Sequence, residues 1–125
     1  MIEYSGILHS SLIVASTDRA LQFYCEVLQL ELDPQRPSLG YPGAWLNIGP
    51  QQIHLLELPN PDPVDGRPSH GGRDRHTAIG LAQLDTLISR LDAAGITYTL
   101  SKSGRRALFC RDPDGNALEF IEFGR

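Results

Sequence analysis

The feature that most constrains the fold of this chain is an order of predicted elements that occurs twice along the sequence. The first half gives a strand, a helix and two strands, at 7–15, 18–29, 44–48 and 52–58. The second half gives a strand, a helix and three strands, at 76–81, 84–91, 97–100, 107–111 and 117–123. Apolar residues recur in these segments at the spacing of strands and amphipathic helices. Since the order repeats, we expect an α+β fold of two βαβββ modules.

The residues at the ends of the predicted elements support this division. Thr17 is a suitable N-cap for the first helix, and Asp18 follows it, where the helix dipole favours an anion. Gly95 suits the position just after the second helix. The sequence Asp-Pro-Asp-Gly at 112–115 has the residues that a tight turn requires, so we expect a hairpin around it.

A segment without regular structure separates the two halves. Residues 59–75, PNPDPVDGRPSHGGRDR, contain four prolines and three glycines, which prevent long helices or strands. We expect a linker, a mobile lid or both, between a first module at about 5–58 and a second at about 76–123. The whole chain, 1–125, is then one domain. Its His70 is interpreted as a surface loop histidine.

Composition narrows the class of protein. A chain of 125 residues with 41% hydrophobic and 21% charged residues is an ordinary globular domain. A net charge of −4 with scattered Lys and Arg argues against a nucleic-acid partner. No apolar run approaches the ~18 residues of a membrane span, and the first residues lack the basic segment of a signal peptide. We therefore expect a cytoplasmic protein that binds a small molecule, with no membrane partner.

Four potential metal ligands fall at matching points of the two halves. His9 lies on the opening strand of the first half and His54 on its closing strand, 45 residues later. His76 and Glu119 lie at the corresponding points of the second half, 43 residues apart. Each histidine alone is better explained as a hydrogen-bonded core or edge residue. The matched positions favour one shared site.

Glu119 carries the strongest chemical signal of these four residues. Its neighbours in sequence are apolar, and burying a carboxylate without a partner or a metal is costly. Three imidazoles and one carboxylate suit a divalent ion such as Zn, Ni, Fe or Mn. Glu57 and Glu122 fall on the opposite faces of their strands, so we expect neither to be a ligand.

Four long segments carry a family resemblance. They are HSSLIVASTDRALQFYCEVLQLEL, GAWLNIGPQQIHLLELP, RHTAIGL and DPDGNALEFIEF, which together span most of the chain. In their order and spacing the chain resembles the vicinal oxygen chelate superfamily, the group of glyoxalases, bleomycin-resistance proteins and extradiol dioxygenases. The resemblance implies a cup-shaped mixed sheet with the helices on its outer face and a divalent metal inside. It also implies a homodimer, because members usually dimerise and some exchange modules between chains.

The resemblance assigns the metal positions to His9, His54, His76 and Glu119. One position departs from well-known members: glyoxalase I usually carries Glu, and methylmalonyl-CoA epimerases carry Gln, where this chain has His54. With a divalent ion and a single carboxylate, the site has a formal charge of +1, which suits an anionic chelate. Tyr41 and Trp45, near the mouth of the first hairpin, are candidates for lining a substrate pocket.

The activity implied by the resemblance is a metal-dependent, glyoxalase-like lyase or isomerase that chelates its substrate through neighbouring oxygens. Glu119 is then the candidate catalytic base. Three alternatives stay open: a thiol transferase of the fosfomycin-resistance type, an extradiol-type dioxygenase and a metal-free drug-binding protein. Arg105 and Arg106 could serve a phosphonate in the first of these, although a solvated loop pair is the simpler interpretation.

Overall fold

The computed structural model, which describes residues 1–123, contains two four-stranded mixed sheets and two α-helices. The first sheet has the strand order β1-β4-β3-β2, and its strands are β1 (His9–Val14), β2 (Glu31–Leu32), β3 (Gly43–Ile48) and β4 (Gln51–Glu57). The second has the order β5-β8-β7-β6, and its strands are β5 (His76–Leu81), β6 (Tyr98–Leu100), β7 (Ala107–Arg111) and β8 (Ala117–Glu122). In each sheet the two strands that come first and last along the chain pair in parallel, β1 with β4 and β5 with β8. The other neighbouring strands are antiparallel. The predicted α+β fold of two βαβββ modules is confirmed.

The first helix differs from its prediction at both ends. Helix α1 (Thr17–Leu21) has Ser16 as its N-cap, whose hydroxyl accepts from the amide of Arg19 at 3.2 Å, so the prediction of Thr17 as N-cap is wrong. The chain then continues as a π-helix, Gln22–Val27, rather than as α-helix to residue 29. As at any helix end, the last carbonyls have no partner within the helix, and the Arg90 guanidinium donates to those of Glu26 and Val27.

Helix α2 (Leu84–Ala93) and the first helix share one hydrophobic core with both sheets. Strand alternation puts the apolar residues of each sheet on one face, and these residues pack with the helices. The fully buried members include Leu46, Ile53, Leu55, Leu91, Leu108 and Leu118. The opposite faces, which carry the predicted ligands, are therefore turned away from the core.

The turn predicted at 112–115 also joins the two modules. The Asp112 carboxylate caps its own turn and accepts from the Tyr24 hydroxyl at 2.7 Å. Asn116 donates to the carbonyl of Ile13 at 3.1 Å, and Asp114 accepts from the amide of Ala15 at 3.0 Å. Burial raises the pKa of Asp112. The turn thus fixes the second module against the end of β1.

The linker is fixed to the second sheet. Asp74 accepts two hydrogen bonds from Arg67, at 2.7 and 2.9 Å, and one from Arg111 at 2.8 Å. The two bonds from Arg67, then the one from Arg111, hold the pKa of Asp74 well below its usual value. Gly71, in a short 3₁₀ turn (Gly71–Arg73), is buried where a side chain would press on Phe109. No helix in residues 1–123 is long and apolar enough to cross a membrane.

Candidate metal centre

The four predicted ligands are arranged as two separate pairs, one on each sheet. The first pair is His9 and His54, whose rings are stacked with centroids 3.9 Å apart. The second pair is His76 and Glu119, with Nε2 and Oε1 3.3 Å apart. Within residues 1–123, no three or more His, Cys, Asp or Glu side chains lie close enough to hold a metal ion together. One chain alone therefore does not assemble the predicted four-ligand set.

The first pair belongs to a stack of three aromatic rings. Trp45 lies opposite His54 in the register of β3 and β4, and the two rings stack with centroids 4.5 Å apart and planes within 8°. His54 Nε2 and Gln52 Oε1 are 2.8 Å apart, and the Gln52 amide nitrogen donates onward to Asp33 and Asn47. Because that amide oxygen accepts, His54 carries its proton on Nε2 and leaves Nδ1 with a lone pair.

Burial lowers the pKa of His54, and His9 and Arg36 lower it further. The neutral imidazole that results is the form that coordinates metals. The side chain is only half-buried, so the ring edges stay within reach of a ligand or a second chain. The first pair can therefore serve as a neutral donor pair or as a flat aromatic platform.

The second pair places two electron-pair donors face to face. His76 Nδ1 lies 2.9 Å from the carbonyl oxygen of Asp74, and since a carbonyl only accepts, Nδ1 carries the proton. In the neutral ring, Nε2 then presents its lone pair to Glu119. The Glu119 carboxylate is buried, with 3% of the residue exposed. Two such donors at 3.3 Å repel one another unless a cation, either a proton or a metal ion, lies between them.

Arg105 contacts the other oxygen of the same carboxylate. One of its terminal nitrogens is 3.2 Å from Glu119 Oε2. Arg106 turns to the opposite face of β8, where it pairs with Glu122 at 3.0 Å and Asp85 at 2.9 Å. Both arginine side chains are more than half exposed, as expected of a solvated pair, and each also contacts a carboxylate of the second sheet.

Two residues that the sequence did not place in the site, Phe109 and His70, pack near the second pair. The Phe109 ring contacts both His76 and His70 edge-on, with centroids 5.1 and 4.8 Å apart. His70 is half-buried and its Nδ1 lies 2.6 Å from the Thr99 hydroxyl, so it is not a free surface histidine. Phe109 is opposite Glu119 in the register of β7 and β8, which strand alternation could have indicated. His70 gave no such signal, because it lies in the linker.

The remaining predicted residues are divided between packing and site. Trp45 stacks on the first pair, whereas Tyr41 lies under the Arg36 guanidinium, 5.3 Å from the ring centroid.

A cavity of about 330 Å³ lies between β1 and β5, and its lining includes Ser11 and His76. Glu57 and Glu122 point to the helices, as predicted, and accept from backbone amides at the starts of α1 and α2.

Comparisons with known proteins identify the family. Residues 6–120 match the model of the glyoxalase/bleomycin resistance protein/dioxygenase superfamily. Lactoylglutathione lyase of Haemophilus influenzae is 32% identical over 124 residues, which cover 93% of this chain and 91% of that protein. A protein of Arabidopsis thaliana named glyoxylase I 4 is 29% identical over 124 residues, covering 94% of this chain and 71% of that one.

A solved structure agrees with these sequence matches. A protein of Bacillus anthracis assigned to the glyoxalase family superposes with a TM-score of 0.82 at 25% identity, covering 99% of this chain and 100% of that one. The superposition covers both sheets of this chain. The chain belongs to the glyoxalase/bleomycin resistance protein/dioxygenase superfamily.

Proposed function

We propose that this protein is a divalent-metal-dependent lyase or isomerase of the glyoxalase type. Its substrate is a small molecule that chelates the metal through two neighbouring oxygens. His9, His54, His76 and Glu119 are the proposed ligands, and two copies of the chain contribute them to each site. The relative named as a lactoylglutathione lyase supports the reaction class.

The observation that carries this proposal is the 3.3 Å separation of His76 Nε2 and Glu119 Oε1. Ligands about 2.1 Å from one divalent ion lie about 3.0–3.4 Å apart at octahedral or tetrahedral angles. The separation thus fits two neighbouring ligands of the same ion. The backbone carbonyl of Asp74 orients the imidazole, which is the usual support for a metal-binding histidine.

The donor set suits several metals. Three imidazoles favour Zn, Ni or Fe over harder ions, and the carboxylate also accommodates Mn. The site would carry a formal charge of +1 with any of them. That charge favours an anionic chelate over a neutral one.

The participation of a second copy follows from how the pairs are separated. Each pair lies on the face of its sheet that is turned away from the shared core. A partner chain would bring its first pair against the second pair of this chain. Exposed apolar side chains near the amino terminus, which a partner would cover, support a dimer; they are Ile2, Tyr4, Ile7 and Leu8, with exposed fractions of 70–87%.

The chemistry of this chain's residues follows from their contacts. A bound divalent ion would supply Lewis-acid polarisation of a substrate oxygen. Glu119 is the proposed base, and it would accept a carbon-bound proton at Oε2, the oxygen that does not face His76. Phe109 lies opposite Glu119 in the register of β7 and β8 and contacts the His76 ring edge-on, so it would form one wall of the proposed site.

Metal titration of the purified chain tests the proposal. We expect one divalent ion per chain after addition of Zn²⁺, Ni²⁺, Fe²⁺ or Mn²⁺, and loss of that ion in His76→Ala. His70→Ala is the matched control, since His70 is the histidine left out of the proposed set, and it should keep the ion. Absence of binding by every ion would leave a protonated His76–Glu119 ion pair and a metal-free binding protein.

Subunit mixing tests the shared site. One variant lacks the first pair (His9→Ala with His54→Ala) and the other lacks the second (His76→Ala with Glu119→Gln). If ligands come from two copies, each mixed dimer has one intact site, so random exchange restores about a quarter of the wild-type metal content. If each site comes from one chain, mixing restores nothing, and that part of the proposal is wrong.

A further inference from the structure

The carboxylate of Glu119 has a different kind of partner on each oxygen. Oε1 faces His76, whose ring is fixed by β5 and by the carbonyl of Asp74. Oε2 faces Arg105, which lies in the segment between β6 and β7 and has a side chain that is 57% exposed. A buried carboxylate needs a partner to offset its lost hydration. One partner is rigid and would stay with a bound ion, and the other can leave.

The segment that carries Arg105 is built to bring the guanidinium back over the sheet. Gly104 has φ +86°, a left-handed backbone that reverses the chain at low steric cost. The Ser103 hydroxyl accepts from Arg105 Nε at 3.2 Å and so orients the side chain. The contact with Glu119 is through a single nitrogen at 3.2 Å, without the paired geometry of a strong arginine–carboxylate bond. The contact is therefore weak enough to be displaced.

Arg106 provides an internal comparison. It is the next residue, and it binds Glu122 through Nε and Asp85 through a terminal nitrogen on the opposite face of β8. The carboxylates that Arg106 binds lie on or beside α2, whereas the carboxylate that Arg105 binds belongs to the proposed metal centre. Two neighbouring arginines of the same segment thus serve different faces of one strand.

We infer that Arg105 is a specificity residue of the proposed site, bound to Glu119 in the metal-free chain and released to bind an anionic group of the substrate when a cation takes that carboxylate. This inference rests on the proposed function. A divalent ion beside Glu119 would repel the guanidinium. Arg105 would then lie at the mouth of the site with unpaired donors in a planar fork. Such a fork suits a carboxylate, phosphate or phosphonate carried by the substrate in addition to its chelating oxygens.

The inference predicts opposite changes in two binding constants of Arg105→Ala. Co²⁺ binding, followed by the visible absorption of the bound ion, should become about 2- to 5-fold tighter, because the competing cation is gone. Binding of inorganic phosphate to the Co²⁺-loaded protein should become about tenfold weaker, because a charged donor is lost. Arg105→Lys should keep the competition for Glu119 and lose part of the phosphate binding. Arg106→Ala, the matched control, should leave both constants unchanged.

The outcomes separate this inference from simpler causes. If Arg105→Ala binds Co²⁺ no more tightly than the wild type, Arg105 does not compete for Glu119 and the inference is overturned. If the substitution only disturbs the segment that carries Arg105, binding of Co²⁺ and binding of phosphate should both weaken. That result also overturns the inference. If the wild-type chain binds no Co²⁺, the proposed function fails and the inference fails with it. If the wild type binds Co²⁺ and only the Arg105 effects are missing, the proposed function stands.

Discussion

The two ligand pairs occupy equivalent positions in the two modules and have different chemistry. His9 is in register with the residue two before His54, and His76 is in register with the residue two before Glu119. The first pair is a stack of two imidazole rings extended by Trp45. The second is a histidine facing a buried carboxylate. The repeated topology fixes where each side chain lies, and its neighbours decide what it can do.

The other face of the same strands gives the opposite result. Glu57 and Glu122 each lie three residues after a proposed ligand, and both accept a backbone amide at the start of a helix. Position and role are the same in both modules. Free amides at a helix N-terminus need an acceptor in either module, so the same residue type serves twice. The ligand positions have no such common requirement.

The largest expected effect is on metal affinity, and it distinguishes the contribution of the second pair from that of the first. Glu119→Gln removes the single carboxylate of the proposed set, so metal affinity should fall by at least about 100-fold. His54→Gln keeps a polar side chain beside Gln52 and removes one of three neutral donors, so its loss should be smaller. Isothermal titration with the metal that the wild type binds measures both. Equal losses of metal affinity in the two variants would contradict the expectation that the second pair contributes more to metal binding than the first.

A smaller effect concerns the linker that supports the second pair. Asp74→Asn weakens three charge-assisted hydrogen bonds, and we expect the free energy of unfolding at pH 7 to fall by about 2 kcal/mol. The folded pKa of Asp74 is below its unfolded value. Its stabilisation is therefore present above the unfolded pKa, near 3.8, and is lost as pH falls toward the folded pKa.

Urea unfolding over a range of pH tests this prediction. The difference between wild type and Asp74→Asn should be constant above about pH 5 and shrink below pH 4. Asp62→Asn is the control, because Asp62 pairs with Arg75 on the surface and should contribute about 0.5 kcal/mol or less. A difference between the wild type and Asp74→Asn that persists unchanged to pH 3 would mean that the carboxylate charge is not what stabilises the linker.

The smallest expected effect concerns Glu57 and Glu122, the two glutamates on the sheet faces that pack against the helices. Glu57→Ala removes the acceptor of the Thr17 amide and should lower the free energy of unfolding by about 1 kcal/mol. Glu122→Ala should cost more, because Glu122 also accepts from Arg106. Neither change should alter metal affinity. A loss of metal binding in Glu57→Ala with intact folding would show that the two faces are coupled.

Much of the fold could be predicted from the sequence, because strands and helices follow local patterns. The strands at 76–81 and 107–111 have the predicted bounds, and the others differ by at most one residue at each end, apart from the N-terminal end of the first predicted strand, which differs by two. The short strand Glu31–Leu32 was missed, since two residues carry no periodicity. The π-helix was missed as well, because its carbonyls are satisfied by Arg90 from the second module.

The candidate site could be predicted in its strand positions and not in its loop contacts. Alternation along β4 and β8 placed His54 and Glu119 on the face opposite the apolar core. Nothing local indicated that Arg105 would reach Glu119, that His70 would pack on Phe109, or that Asp74 would orient His76. Each of these contacts joins the linker or a turn to a strand.

The sequence by itself determined the repeated module, the core face of each sheet and the four candidate ligands, because a strand has a fixed period of two residues. Only the tertiary structure decided that the ligands form two pairs, that the linker is fixed by Asp74 and that a carboxylate in the second pair already holds a guanidinium. These features depend on contacts between residues distant in sequence. Side-chain periodicity contains no information about such contacts.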